Sequence, residues 1–321
     1  MANTPLTRAE FLKILAAGSA GVLFLGGAED ALAGITGTND ALDQAALDGD
    51  ARAAHAAGTV LAVAKGTSAS SNVQRAIAAV GGMKTFVRPG NTVVIKPNIC
   101  TNRAPAYAAT TNPQVVATLV RLARAAGAGR VLVMDNPISV NPTSAYSGSG
   151  IGGAVAAAGG SMRIMSSSGY KKYPLGGYLG NFPLYAEIVN ANVLINVPIV
   201  KQHGSTGLTI AGKNLMGCTN DRGKMHGQLS ESIAQVNAKL RPELTVVDAM
   251  RILLRNGPTG GNLGDVKVKN TVLACTDWVA ADTYAASRIF GMPASRVPYI
   301  KAAANMHLGT MNLASVSIRN V

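Results

Sequence analysis

TTNPQVVATLVRLARAAGAGRVLVMD, Thr110–Asp135, decides the fold class of this chain. Asn112 followed by Pro113 marks a helix start, because an Asn side chain caps free backbone amides and proline at the first helical position surrenders no hydrogen bond. That helix is expected to run to about Ala126 and to stop at Gly127. Arg130–Met134 is then a short, continuous apolar run, the pattern of a strand buried on both faces, and it ends in Asp135. Upstream, Thr92–Lys96 has the same character. Buried strands alternating with helices predict a parallel sheet covered by helices.

The pattern extends in both directions. Thr59–Ala64 reads as a strand and Ser71–Val80 as a helix. Asn136 to Gly150, rich in Pro, Ser, Asn and Gly, predicts a long loop at a strand's carboxyl end. A helix (Gly152–Ala158) and a strand (Met162–Met165) follow. Ser166 to Phe182, rich in Gly and Tyr, reads as a flap over a site. Val193–Val197 is a buried strand that delivers a loop carrying His203. Beyond it come a helix at Leu229–Lys239, a strand at Leu244–Val247 ending in Asp248, a strand at Val266–Ala274, a helix at Trp278–Phe290 and a strand at Val316–Ile318. The expected architecture is α/β with mostly parallel, helix-covered sheets, either one continuous unit or two interleaved lobes with a cleft between them.

Three segments are expected: an export signal at 1–33, a polar leader at 34–58 and the α/β domain at 59–321. Thr7-Arg8-Ala9-Glu10-Phe11-Leu12-Lys13 follows the twin-arginine pattern except that Ala9 stands at the second arginine position. Ile14 to Ala28 is an uncharged, moderately apolar run of fifteen residues, and Ala31-Leu32-Ala33 is a small-x-small cleavage site. The expected mature protein starts near Gly34 and is periplasmic or extracellular. No later stretch is long and apolar enough to span a membrane.

Net charge is +13, and its distribution matters more than its size. Asp135 is the sole acid between Ala51 and Ala186, a span that holds thirteen Lys or Arg residues. Such an imbalance attracts anions, whether a small molecule or an envelope polymer. Nucleic acid is disfavoured: no basic run exceeds Lys171-Lys172, and there is no recognised nucleic-acid-binding motif. Three cysteines, Cys100, Cys218 and Cys275, are isolated in sequence and give no disulfide framework. Their spacing also predicts no iron–sulfur cluster held by this chain alone. Cys218, beside Gly217, is the cysteine expected to be functional.

The chemistry-bearing stretch is Ile199–His226, IVKQHGSTGLTIAGKNLMGCTNDRGKMH. It places Lys201, His203, Lys213, Asn214 and His226 in a frame of five glycines, where backbone can approach a ligand closely. His203 is a candidate for proton transfer. Lys213, in apolar and glycine surroundings, is a candidate for an amine with a lowered pKa. His203 and His226 are candidate metal ligands for a transition metal, although 23 residues separate them. Ligands in α/β sheets bind beyond the carboxyl ends of strands. Lys96 and Asn98, Asp135, Lys201 and His203, and Asp248 all fall there. Asn256 and Gly257 open a turn whose amides suit an anion. Lys96 and Asp135 serve equally well as a structural ion pair, and Asp277 serves as well as a helix cap as it does as a ligand.

VVIKPNI at Val93–Ile99, the Thr110–Asp135 stretch, HGSTGLTIAGKNLMG at His203–Gly217, RNGPTGG at Arg255–Gly261 and CTDWVAADTYAA at Cys275–Ala286 occur in one order. Together they resemble the domain-of-unknown-function 362 family over roughly Thr59 to Val321. Many members carry iron–sulfur clusters in an appended ferredoxin-like module, from which this chain departs. The His203–Lys213 segment is also similar to the nickel-pincer lactate racemase family. That likeness implies an acid/base role for His203 and a cofactor-contacting role for Lys213. The residues therefore point to an exported α/β protein that acts on or binds an anionic small molecule, with or without a metal. They leave open whether it is an enzyme or a non-catalytic envelope protein.

Overall fold

The computed structural model describes residues 58–138 and 141–321. The expected export signal and nearly all of the leader lie outside these residues. The described residues form one compact α/β unit, so the continuous architecture is the one present.

Its frame is a ten-stranded sheet. β1 (Val60–Lys65), β2 (Thr92–Pro97), β3 (Arg130–Val133), β4 (Ser161–Met162), β7 (Val193–Val197), β10 (Leu244–Leu253), β11 (Val266–Cys275) and β12 (Ser317–Asn320) run in the order β12-β1-β11-β10-β7-β2-β3-β4. β10, β7, β2, β3 and β4 are mutually parallel, and β11 is antiparallel to its two neighbours, β1 and β10. β8 (Ile199–His203) takes over from β7 beside β10 and pairs antiparallel with β9 (Gly207–Thr209). The handover occurs at Pro198, whose carbonyl accepts from Asp248 N at 2.9 Å. One chain segment thus supplies two successive neighbours to β10 and carries Lys201 and His203 past the sheet edge.

Alternate strand residues serve two cores, as the two-residue period of a strand requires. Ala62, Ala64, Val93 and Ile95 meet α1 (Ala69–Ala79), α2 (Pro113–Ala125), α3 (Pro142–Gly148) and α4 (Ile151–Ala157) on one face. Leu61, Val63, Val94 and Val247 meet α8 (Leu229–Leu240), α9 (Trp278–Tyr284) and α10 (Pro298–Asn305) on the other. Between these, α5 (Ala186–Val189), α6 (Ala211–Asn214) and α7 (Arg222–Met225) are single turns. Among the described residues no helix is long and apolar enough to cross a membrane.

Four expectations need correction. The predicted loop from Asn136 to Gly150 contains α3, started by the same signal as α2: the Asn141 side chain accepts from Thr143 N at 2.9 Å and Pro142 follows it. Most of the stretch read as a flap, Ser166–Phe182, is regular: from Tyr170 it forms an antiparallel hairpin, β5 (Tyr170–Gly176) with β6 (Gly180–Tyr185), whose Phe182 and Leu184 enter the core. The strand predicted at Met162–Met165 is only two residues long, Ser161–Met162. The helix predicted at Trp278–Phe290 ends its regular part at Tyr284 and widens into a π turn at Ala285–Phe290. α10 was not foreseen at all.

Candidate functional site

Parallel pairing sets the carboxyl ends of β2, β3 and β7 on one edge of the sheet, and β8 reaches the same edge. A cleft of about 420 Å³, part of it open to solvent, lies there. Lys96, Asn98, Asp135, Lys201, His203, Lys213 and Asn214 line it, joined by Cys100, Asn136, Arg222 and the turn residue Pro258. Seven side chains singled out in the sequence therefore meet around one space.

The floor is a closed polar network. Lys96 Nζ is 2.6 Å from Asp135 Oδ1, with both side chains almost fully buried. The ammonium also donates to Pro97 O at 3.0 Å and to Asn214 Oδ1 at 3.2 Å. Asp135 accepts from Ile99 N at 2.6 Å and Asn136 N at 2.8 Å, so its charge is satisfied from several sides. Asn214 ties the network to β7, donating to Asn196 Oδ1 at 2.8 Å. Asn196 faces Lys96 across the β2–β7 pairing and had given no signal in the sequence.

Lys201 is the second locked cation. Its ammonium donates to Asn98 Oδ1 at 2.8 Å, Ala109 O at 2.7 Å and Pro258 O at 3.0 Å. Burial pulls its pKa below the ordinary lysine value. Three oxygen acceptors nevertheless match the three N–H groups of an ammonium, whereas a neutral amine would turn a lone pair on one of them. Arg222 is held by backbone, donating to Asn136 O, to Met216 O at 3.3 Å and to Pro137 O at 3.4 Å.

The wall differs. Lys213 is half-buried, and its ammonium has no hydrogen bond or ion pair among the described residues. Burial lowers its pKa to about 8, and the nearby charges of Lys201 and Arg222 push the same way. His203 is also half-buried, and its pKa is lowered to about 4 by burial, then by the charges of Lys213, Lys201 and His226. Ser205 N donates to His203 Nδ1 at 3.2 Å. A neutral ring that accepts at Nδ1 carries its proton on Nε2, so the atom left for a ligand is a hydrogen-bond donor.

Two glycines fix the geometry. A Cβ on Gly217 would lie 2.1 Å from Asp135 Oδ1 and 2.7 Å from Lys96 Nζ, so only glycine lets the backbone rest on the buried ion pair. A Cβ on Gly212 would lie 2.5 Å from the Trp278 ring. Gly212 N and Ala211 N donate to the Asp282 carboxylate at 3.0 and 2.8 Å, which pins the turn bearing Lys213 to α9. Burial raises the pKa of Asp282 to about 7. Asp282 carried no sequence signal beyond its spacing from Asp277. Asp277 itself caps α9, accepting from Ala280 N at 2.9 Å.

The other sequence candidates are spent elsewhere. Asp248 accepts from Asn112 N at 2.7 Å and Met250 N at 2.9 Å, anchoring the start of α2 instead of the cleft. Asn256 donates to Asp265 at 2.6 Å, and Gly257 N donates to Gln202 Oε1 at 2.8 Å. Their turn reaches the cleft only through Pro258. His226 is exposed and does not line it. Cys218 is fully buried, with its thiol pushed up to about 12. Cys100 is the cysteine that reaches the cleft, where its thiol donates to Pro258 O at 3.6 Å.

The family model "Domain of unknown function (DUF362)" matches residues 93–287, which include every strand and turn that builds the cleft. The chain belongs to the DUF362 family. Among curated relatives, the thylakoid-associated protein sll1697 of Synechocystis sp. (strain ATCC 27184 / PCC 6803 / Kazusa) is 26% identical over 232 residues, 70% of each chain. Among solved structures, the lactate racemase apoprotein from Thermoanaerobacterium thermosaccharolyticum is similar at a TM-score of 0.45 and 12% identity. That match covers 67% of this chain and 54% of the other, so it takes in about half of that protein. Membership gives this chain a family without an assigned reaction, and the chemistry rests on the cleft itself.

Proposed function

We propose that the strand-end cleft binds a small organic anion, and that His203 and Lys213 are the groups that meet it. The observation that carries this reading is the contrast in partners. Lys96 is paired with Asp135, Lys201 has an oxygen acceptor for each ammonium N–H and Arg222 is tied to backbone carbonyls, while the Lys213 ammonium lines the cleft with no counterion among the described residues. A half-buried cation without a partner is costly, and an incoming carboxylate relieves that cost. The Nε2–H of neutral His203 adds a donor for a carbonyl or carboxylate oxygen. Lys96, Asn98, Asp135, Lys201 and Asn214 support the anion from below, by field and shape more than by direct bonds.

A metal held by side chains fits this donor set poorly. Among the described residues no group of three His, Cys, Asp or Glu is placed to hold one. His203 would have to give up its bond from Ser205 N to present a lone pair at Nε2, and three fixed cations oppose a fourth.

Calorimetric titration with propionate, with propionamide as the neutral control, tests the reading. Binding of the anion alone, lost in Lys213→Ala, supports it; equal heats for both compounds refute it. A second reading, a non-catalytic envelope protein that holds an anionic polymer, draws on the basic span from Ala51 to Ala186. Salt-sensitive anion binding unchanged in both His203→Ala and Lys213→Ala would favour it. In either case we propose export with cleavage near Ala33. N-terminal sequencing of secreted protein, starting near Gly34, is the check.

A further inference from the structure

We infer that Lys213 is an imine-forming lysine and that the ligand class of the cleft is a small 2-oxo carboxylate. The inference rests on the anion-binding reading and adds a covalent step to it. Three features of the cleft support it together. The amine has no hydrogen-bond or ion-pair partner among the described residues, so nothing in the protein occupies the lone pair once the proton leaves. The nearby charges of Lys201 and Arg222, both tied to backbone carbonyls, favour the neutral amine. Asp135, the carboxylate that lines the same space, is paired with Lys96 and so does not hold Lys213 as an ammonium. Burial, then the charges of Lys201 and Arg222, lowers the pKa to about 8, which leaves an appreciable fraction of free amine at neutral pH.

The substrate class follows from the remaining groups. A net positive cleft selects an anion, and an amine nucleophile selects a carbonyl. The Nε2–H of His203 is a donor to the carbonyl oxygen, and unused N–H groups of Arg222 suit the carboxylate. The step balances without a co-reactant. Lys213 Nζ, as the neutral amine, attacks the carbonyl carbon, forming a C–N bond as the C=O π pair moves to the oxygen, which takes one of the two amine protons. Loss of that oxygen as water, with a proton transferred from nitrogen, leaves the imine. His203 assists by hydrogen bonding and need not change its charge.

The test uses pyruvate as probe, cyanoborohydride as trap and propionate as an anion that has no ketone. Intact mass and peptide mapping of the purified chain are expected to find one reduced adduct, on Lys213, whose formation is slowed by propionate. Lys213→Arg, which keeps the charge and removes the nucleophile, is expected to lose that adduct; its far-ultraviolet dichroism and melting curve report whether it is folded. Labelling spread over surface lysines, at a rate propionate does not change, overturns the inference. Propionate binding by the wild type without any Lys213 adduct overturns the imine but leaves the anion site standing. Absence of both pyruvate and propionate binding overturns the two together.

Discussion

The floor and the wall of the cleft hold the same kinds of residue in opposite states. On the floor, Lys96 and Lys201 are almost completely buried, and every donor they possess has an oxygen to meet. On the wall, Lys213 and His203 are less buried and less satisfied. The floor lysines lie in β2 and β8 at positions paired with neighbouring strands, where a network must close before the sheet can form, and Asn214 joins them from the turn that also bears Lys213. The wall lies on a short hairpin and a single helical turn, which are positioned by contacts from behind: Asp282 on the amides of Ala211 and Gly212, and Trp278 against Gly212. A lysine near a cleft is therefore not a functional group by virtue of its type. What separates the two kinds is whether the fold has already answered its charge.

The widest separation is expected in stability. Lys96→Ala leaves the Asp135 carboxylate buried without its ammonium, and loss of one partner of a buried pair costs about 3–5 kcal/mol. Guanidinium denaturation of the variant should show a midpoint far below that of wild type. An unshifted midpoint would mean that the floor is not structural, and the contrast with Lys213 would collapse.

Lys213→Ala should do the reverse. Removing a charged hydrogen-bond donor from a binding site costs about 1.5–3 kcal/mol, so anion affinity should fall about ten- to a hundredfold. Stability should not fall with it. The folded pKa of about 8 lies below the unfolded value, so the unfolded chain binds more protons between about 8 and 10.5, and native stability rises with pH across that window. Below about 8 the protonated side chain is a liability that alanine removes. The same linkage gives wild-type binding its pH profile. Affinity should decline as pH rises through about 8, with no inflection near the ordinary histidine value, because His203 stays neutral above about 4. The other groups facing Lys213, namely Lys201, Arg222, Lys96 and Cys100, are held by hydrogen bonds in the cleft or its floor. Calorimetry and thermal melting across pH 6 to 9 check both halves.

The sequence made the floor legible and the wall only partly so. Strand-then-polar patterns at Lys96 and Asp135 marked the sheet edge, because a buried apolar run ending in a charge leaves that charge few places to go. The same rule overreached at Asp248. A carboxylate at a strand end can face the cleft or turn back onto backbone amides, and Asp248 turns back to Asn112 and Met250. Nothing local distinguishes the two outcomes. Asn196 and Asp282 were invisible for a related reason: each works through a partner distant in sequence. The helix at Pro142–Gly148, by contrast, is readable, since Asn141-Pro142 repeats the Asn112-Pro113 signal one strand earlier. Glycine and serine around it disguised a seven-residue helix as a loop.

Asp248→Asn sharpens the comparison from the structural side. Burial raises the acid's pKa to about 6, so a neutral amide of the same shape is tolerated in part. One of its two backbone donors would then face an amide N–H, at a cost of about 1 kcal/mol. The melting temperature should drop slightly while propionate affinity stays at the wild-type value. A parallel loss of affinity would return Asp248 to the binding site and extend the cleft beyond its present lining.

The smallest effect is expected from His203→Gln, and it discriminates most finely. If the imidazole serves as a neutral donor through Nε2–H, a glutamine amide supplies an N–H of similar reach, and anion affinity should fall only about two- to threefold. His203→Ala, which supplies none, should lose more. If the ring instead acts as a base or a metal ligand, the lone pair is what matters, and glutamine should be as damaging as alanine. The bond from Ser205 N to Nδ1 favours the donor, since it consumes the one lone pair of the neutral ring. Charge argues the same way: with Lys213 and Lys201 nearby, a ring that gained a proton would add a third positive charge to a half-buried wall. Measuring both variants at pH 7 against propionate, and repeating the pair in the pyruvate trapping reaction, separates a hydrogen bond that holds the ligand from one that assists the loss of water. Equal retention in binding but a larger loss in trapping would place the His203 contribution in the covalent step.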